Sequence, residues 1–141
     1  MNVLFDTNVV LDALLDREPW AEAALTLFDR VESGDLVGHL GATTVTTIHY
    51  IARRNVGLGA AHEMMRDLLR LLEVAPVNRA VLEGALALGF DDFEDAVLHE
   101  AGRLAGAQSI VTREPSGFSA ATLCVYDPDT LVAALDAAEE P

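Results

Sequence analysis

The 141-residue chain fits one domain spanning 1–141, since a single core commonly serves about 100–200 residues and a hydrophobic fraction of 51% fills it. With 23 Asp/Glu against 9 Lys/Arg, the formal charge of −14 excludes general electrostatic binding to nucleic acid or anionic membrane, which relies on basic residues displacing phosphate counterions. Any polyanionic substrate therefore needs a metal or local arginines, and every basic residue here is Arg. Cys124 is the single cysteine, so no intrachain disulfide can form; within Thr122-Leu123-Cys124-Val125-Tyr126 it reads as a small buried strand residue. Charged residues interrupt every apolar segment before about 18 residues, and no basic region precedes a long apolar stretch. Neither a membrane span nor a signal peptide is expected, and the cytoplasm is the expected compartment.

In chain order, short apolar runs at 2–5, 36–40, 73–77, 108–112 and 122–126 read as strands, with periodic Ala/Leu-rich segments between them. That alternation predicts an α/β fold, a parallel sheet covered by helices. Pro19 suits the first turn of a helix running to about Ser33. Thr43 or Thr44 serves as the cap of one ending near Asn55, Gly57 and Gly59 separate two helices, and Asn78 caps another ending near Gly89. From Phe93 the apolar positions Phe93, Ala96, Val97, Ala101, Leu104 and Ala105 follow helical spacing, with Asp92, Asp95 and His99 on an adjoining stripe able to face a cleft. The segment Pro115-Ser116-Gly117-Phe118-Ser119 is expected to be a mobile loop, and Pro128 starts a final helix from Asp129 to about Ala138.

Three groups of acids stand where these elements end. Asp6 closes the first strand and opens Asp6-Thr7-Asn8-Val9-Val10-Leu11-Asp12, at the sheet edge where open α/β folds bind ligands. Capping the following helix is the competing explanation. Asp12 reads as a solvated helix residue or a partner lying behind Asp6. In Asp91-Asp92-Phe93-Glu94-Asp95, capping and the helix dipole explain Asp92 and Glu94. They explain Asp95 less well, because the neighbouring Asp92 adds like-charge repulsion that a bound cation would reverse. Glu114 follows the fourth strand. Oxygen ligands from separate segments suit Mg²⁺ or Mn²⁺, which hold few protein carboxylates and keep waters for substrate phosphate. The histidines His39, His49, His62 and His99 form no zinc motif, His49 and Tyr50 line one side of a helix, and no nucleophile elbow or glycine-rich phosphate loop is present.

Asp6-Thr7-Asn8-Val9-Val10-Leu11-Asp12, Asp92-Phe93-Glu94-Asp95-Ala96 and Val111-Thr112-Arg113 together resemble a PIN domain, in particular its small bacterial VapC-like branch. The resemblance implies a three-layer α/β/α sandwich with a central parallel sheet, and a Mg²⁺- or Mn²⁺-dependent ribonuclease whose acids gather at one sheet edge. It carries Asp6 and Asp95 onto the family's metal-binding acids and places Thr47 where the family has an acid; Glu114 and, as an additional carboxylate, Asp92 complete the expected metal site. The family's Thr-Arg-Asn/Asp-x-x-Asp-Phe stretch becomes Thr112-Arg113-Glu114-Pro115-Ser116-Gly117-Phe118, so Glu114 fills the earlier acidic slot and Gly117 empties the later one. The expected partners are an RNA substrate, a cognate antitoxin protein and a second copy of the chain through the Ala/Leu-rich helices beginning at Pro19 and Leu58. Arg53, Arg54 and Arg113 are the nearest candidate phosphate contacts. Thr47 and Gly117 keep open an alternative, a noncatalytic PIN-like binding module.

Overall fold

In a computed structural model of the protein, which describes residues 1–140, strand β1 (Asn2–Phe5) lies at the centre of a five-stranded sheet. Its side chains alternate: Val3 and Phe5 join the larger core cluster on one face, while Leu4 joins Leu98, Ile110 and Phe118 on the other. The remaining strands are β2 (Val37–Gly41), β3 (Glu73–Ala75), β4 (Ser109–Val111) and β5 (Cys124–Tyr126). All pairings are parallel, in the order β3-β2-β1-β4-β5. A sheet with apolar side chains on both faces needs cover on both, and the helices supply it.

Helices α1 (Thr7–Leu14), α2 (Ala21–Glu32), α3 (Ala42–Val56), α4 (Leu58–Leu71) and α7 (Pro128–Glu139) all contribute buried side chains to the larger cluster. Helices α5 (Arg79–Leu86) and α6 (Phe93–Leu104) pack against each other through Val81, Ala85, Ala96, Val97 and Ala101, and α6 lies on the opposite face of the sheet. The expected three-layer arrangement is therefore present. Helix α6 approaches closely because it lacks side chains at the right places: a Cβ at Gly102 would stand 2.6 Å from Leu4 Cδ2. On the sheet side, a Cβ at Gly41 would stand 2.6 Å from Leu98 Cδ1.

Several expectations need correction. Helix α2 starts after Pro19, because the Arg17 carbonyl accepts the Trp20 and Ala21 amides and closes a turn around it. Helix α3 begins at Ala42 with Gly41 at the cap, and Thr44 donates its hydroxyl to the Gly41 carbonyl instead of capping. Pro76 stops β3, which ends at Ala75. Cys124 is exposed, since β5 is an edge strand and half its surroundings are solvent. Phe93 and Leu104, placed on the apolar stripe of α6, are 48% and 54% exposed at the two ends of the helix. The segment at 115–119 is a short 3-10 turn, Pro115–Phe118, tied down by the buried Phe118 ring against Phe90.

Candidate functional site

The strand order reverses between β1 and β4: the chain winds outward from β1 through β2 to β3, then returns to the other side of β1. The crevice beyond the carboxyl ends of those two strands is where such sheets bind ligands. Asp6 leaves β1 there and Thr112 leaves β4 beside it, joined by the Asp6 amide donating to the Val111 carbonyl at 3.0 Å. Capping and site geometry coincide at Asp6. Its carboxylate accepts the Thr7 amide at 2.8 Å on one oxygen and the buried Thr112 hydroxyl at 2.8 Å on the other. The Thr112 hydroxyl in turn accepts the Glu114 amide at 3.1 Å, so one side chain fixes both the Asp6 carboxylate and the exit of β4.

The second acidic segment reaches the same crevice from α6. Asp92 caps the helix, accepting the Glu94 amide at 2.8 Å and the Asp95 amide at 3.4 Å. Asp95, in the first turn, then faces Asp6. A pocket of about 360 Å³ is walled by Asp6, Asp92, Asp95, Glu114, Thr47 and Gly117, which brings every sequence-predicted site residue to one place. His99 does not join them. It lies wholly buried beneath the Phe90 ring, where its Nε2 accepts the Thr122 amide at 3.1 Å.

Electrostatics single out two of the acids. Burial raises the Asp6 carboxyl above its ordinary range, opposed by its hydrogen bonds from Thr112 and Thr7 and reinforced by Glu114. Asp95 is pushed up to about 6, by burial first and then by the charges of Asp6, Asp92, Glu94 and Glu114. Carboxylates that suppress one another's ionisation are a field a cation would relieve.

Among the described residues, no three His, Cys, Asp or Glu side chains converge tightly enough to grip one ion by themselves. The donor set still fits a hard cation, since every polar group on the pocket wall that can coordinate is an oxygen. Mg²⁺ and Mn²⁺ need only one or two protein carboxylates, with water completing the shell. Gly117, where the family resemblance expects a further carboxylate, lies against the same acids: a Cβ placed on it would stand 3.4 Å from Asp95 Oδ2.

Behind the pocket lies a network that sequence reasoning missed. Asp12, expected to be solvated or to back Asp6, is wholly buried. Arg17 Nε donates to its Oδ1 at 2.9 Å, and Arg113 Nε stands 3.1 Å from its Oδ2, a charge contact outside good hydrogen-bond alignment. Arg17 also donates to the Asn8 side chain at 3.2 Å, and the Arg113 guanidinium lies 4.0 Å from the Trp20 ring centroid. Burial raises the Asp12 carboxyl while the charges of Arg113 and Arg17 pull it back. Thr112 and Arg113 both stood inside the quoted motif, yet nothing local to the sequence shows which helix residue they meet.

Comparison with known proteins accords with this geometry. The PIN domain family matches residues 2–115. The chain belongs to the PIN domain family. No curated protein sequence matches it significantly. Among solved structures, VapBC2 from Rickettsia felis bound to a promoter DNA fragment is similar with a TM-score of 0.68 and 12% identity, over 90% of this chain and 98% of that one. FitAcB from Neisseria gonorrhoeae has a TM-score of 0.66 and 19% identity, over 89% and 97%. The Mycobacterium tuberculosis toxin VapC20, described as cleaving the sarcin-ricin loop, has a TM-score of 0.60 and 16% identity, over 93% and 94%. The fold of this PIN domain is thus that of VapC-type proteins. Among its described residues no helix is long and apolar enough to cross a membrane.

Proposed function

We propose that this PIN domain is a divalent-metal-dependent endoribonuclease acting as the toxin of a toxin-antitoxin pair. The observation that carries the reading is the convergence of Asp6 and Asp95 on one pocket at the β1–β4 crevice, where burial first and the neighbouring carboxylates next push Asp95 up to about 6. Asp6 and Asp95 would hold Mg²⁺ or Mn²⁺, with Glu114 and Asp92 contributing through water. The ion supplies charge stabilisation for the scissile phosphate and activates water for attack, so no covalent enzyme intermediate is needed. The chain's own part is orientation. Thr112 locks the Asp6 carboxylate by its hydroxyl, Asp92 fixes the start of α6 and hence Asp95, and Thr47 offers a neutral hydroxyl on the facing wall for phosphate or water.

The resemblance to toxin-antitoxin structures supports an antitoxin partner that directs an Arg or Lys into the acidic pocket, where a guanidinium can take the place of the cation. A second copy of the chain is a further proposed partner, through the part-exposed Trp20 and Leu25 around α2 or Leu58 and Leu69 on α4.

The alternative, a noncatalytic module, is favoured by one observation: among the described residues no three candidate ligands converge, on a wall where Thr47 and Gly117 stand at positions the family resemblance gives to acids. A cleavage assay on short RNAs with Mn²⁺ or Mg²⁺ separates the two. The nuclease reading expects metal-dependent cutting by wild type, with loss of at least about a hundredfold in Asp6→Asn, since removing one preorganised electrostatic group typically costs that much. Inactivity of wild type on several RNAs with both metals selects the binding module.

A further inference from the structure

A chain with charge −14 that acts on a polyanion must have somewhere to receive its phosphates. Seven of the nine arginines are committed to carboxylates: Arg17 and Arg113 to Asp12, Arg30 to Asp35, Asp136 and Glu139, Arg66 to Glu63, Arg70 to Asp67, Arg79 to Glu83, and Arg103 to Glu100. Among the described residues, that leaves Arg53 and Arg54 without a carboxylate within 4.0 Å. Both are exposed and adjacent, in the last turn of α3. The same helix walls the acidic pocket with Thr44, Thr47 and Ile51. Arg54 lies two turns beyond Thr47 on one face, about 10 Å along the axis at 1.5 Å per residue. Between them Tyr50 is 60% exposed, and the Arg54 guanidinium sits 5.8 Å from its ring centroid.

We propose that Tyr50, Arg53 and Arg54 form a single-stranded RNA subsite next to the cleavage pocket, with Arg53 and Arg54 receiving phosphate and the Tyr50 ring stacking a base; this rests on the nuclease reading above. The physics favours RNA over an acidic surface in general. A base has a π-face for Tyr50, and a phosphate close by has its pick of the two arginines no carboxylate holds. The arrangement also answers the charge problem: strand entry is steered to the end of α3 where two adjacent arginines are not neutralised by carboxylates, and from there the RNA leads along the helix to Asp6 and Asp95.

The test is fluorescence anisotropy with a short fluorescein-labelled single-stranded RNA carrying phosphorothioate linkages, in Mg²⁺ buffer, across a salt series. Arg53→Ala/Arg54→Ala should weaken binding at least about tenfold and flatten the logarithmic salt slope by about 1.4, at roughly 0.7 per phosphate contact on a single strand. Tyr50→Ala should weaken binding about tenfold with the slope unchanged, which is the signature of lost stacking. Arg79→Ala, exposed and paired with Glu83, should change neither. Circular dichroism checks that the surface variants remain folded. Unaltered affinity and slope in the double variant overturn the subsite while leaving the nuclease reading standing, since cleavage is measured separately. No RNA binding by wild type overturns both. Retained RNA binding with lost binding of polyglutamate assigns the patch to an acidic protein partner and overturns the proposal.

Discussion

Asp95 is the residue at which the pocket's electrostatics can be read from outside. Its folded-state pKa near 6 lies above the ordinary carboxylate value of 3.8, so the protonated form is favoured by folding. The unfolded chain therefore binds fewer protons between those two values, and stability falls as pH rises through that window. Asp95→Asn removes the repulsion while keeping the volume. It should raise the melting temperature in metal-free buffer near pH 7.5 and leave it unchanged well below pH 3.8, where Asp95 is protonated in both states. A melting temperature lowered at both pH values would show that Asp95 acts in folding through some contact other than this repulsion.

Gly117 offers the complementary experiment, addition in place of removal. A side chain there begins 3.4 Å from Asp95 Oδ2, an ordinary van der Waals distance, so a carboxylate can be installed without displacing the backbone. Gly117→Asp should tighten Mn²⁺ binding about tenfold and lower metal-free stability, because one more like charge enters the same field. Unchanged Mn²⁺ affinity would place Gly117 outside the ion's reach.

Among the elements, the exit of β4 is held to α1 by the Asp12 network. Asp12 is wholly buried with a guanidinium on each oxygen, and Arg113 is covered by Trp20. Asp12→Ala leaves two cations facing a dry space and should destabilise by about 3 kcal/mol, the lower end for a broken buried pair, because Arg17 is a third exposed and can turn to water. Chemical denaturation measures it; a cost under about 0.5 kcal/mol would mean the arginines carry no strain when released.

How legible these parts were depends on how local their causes are. Strand β1 and the Asp92 cap of α6 were readable because an apolar run, a cap and a dipole preference each act within a few residues. That Asp6, Asp92, Asp95 and Glu114 could share a cation was readable from their places at element ends, whereas Thr47 and Gly117 were placed only through the family resemblance, since four chain segments must meet. The burial of Asp12 and His99 was not readable. Each is a polar helix residue whose partners come from distant segments, Arg113 for one and Thr122 for the other, and hydrophobic periodicity counts such residues as solvent-facing. The burial expected of Cys124 failed for a related reason: the short run at 122–126 does not reveal whether its strand lies at the edge of the sheet.

At the scale of the whole molecule, an acidic shell encloses a pocket that concentrates the charge further, and the two uncommitted arginines stand at the end of the helix that forms its wall. Such a pocket would repel the scissile phosphate unless a cation occupied the crevice, so cation binding is the claim on which nuclease activity depends. The measurement that tests it most directly is isothermal titration of Mn²⁺ into wild type, Asp6→Asn and Asp95→Asn at fixed physiological ionic strength, above pH 7 where Asp95 is ionised. The account predicts saturable binding to wild type at millimolar concentration or below, weakened at least about tenfold in each variant. Absence of saturable heat in wild type, or equal affinity in all three proteins, would contradict it.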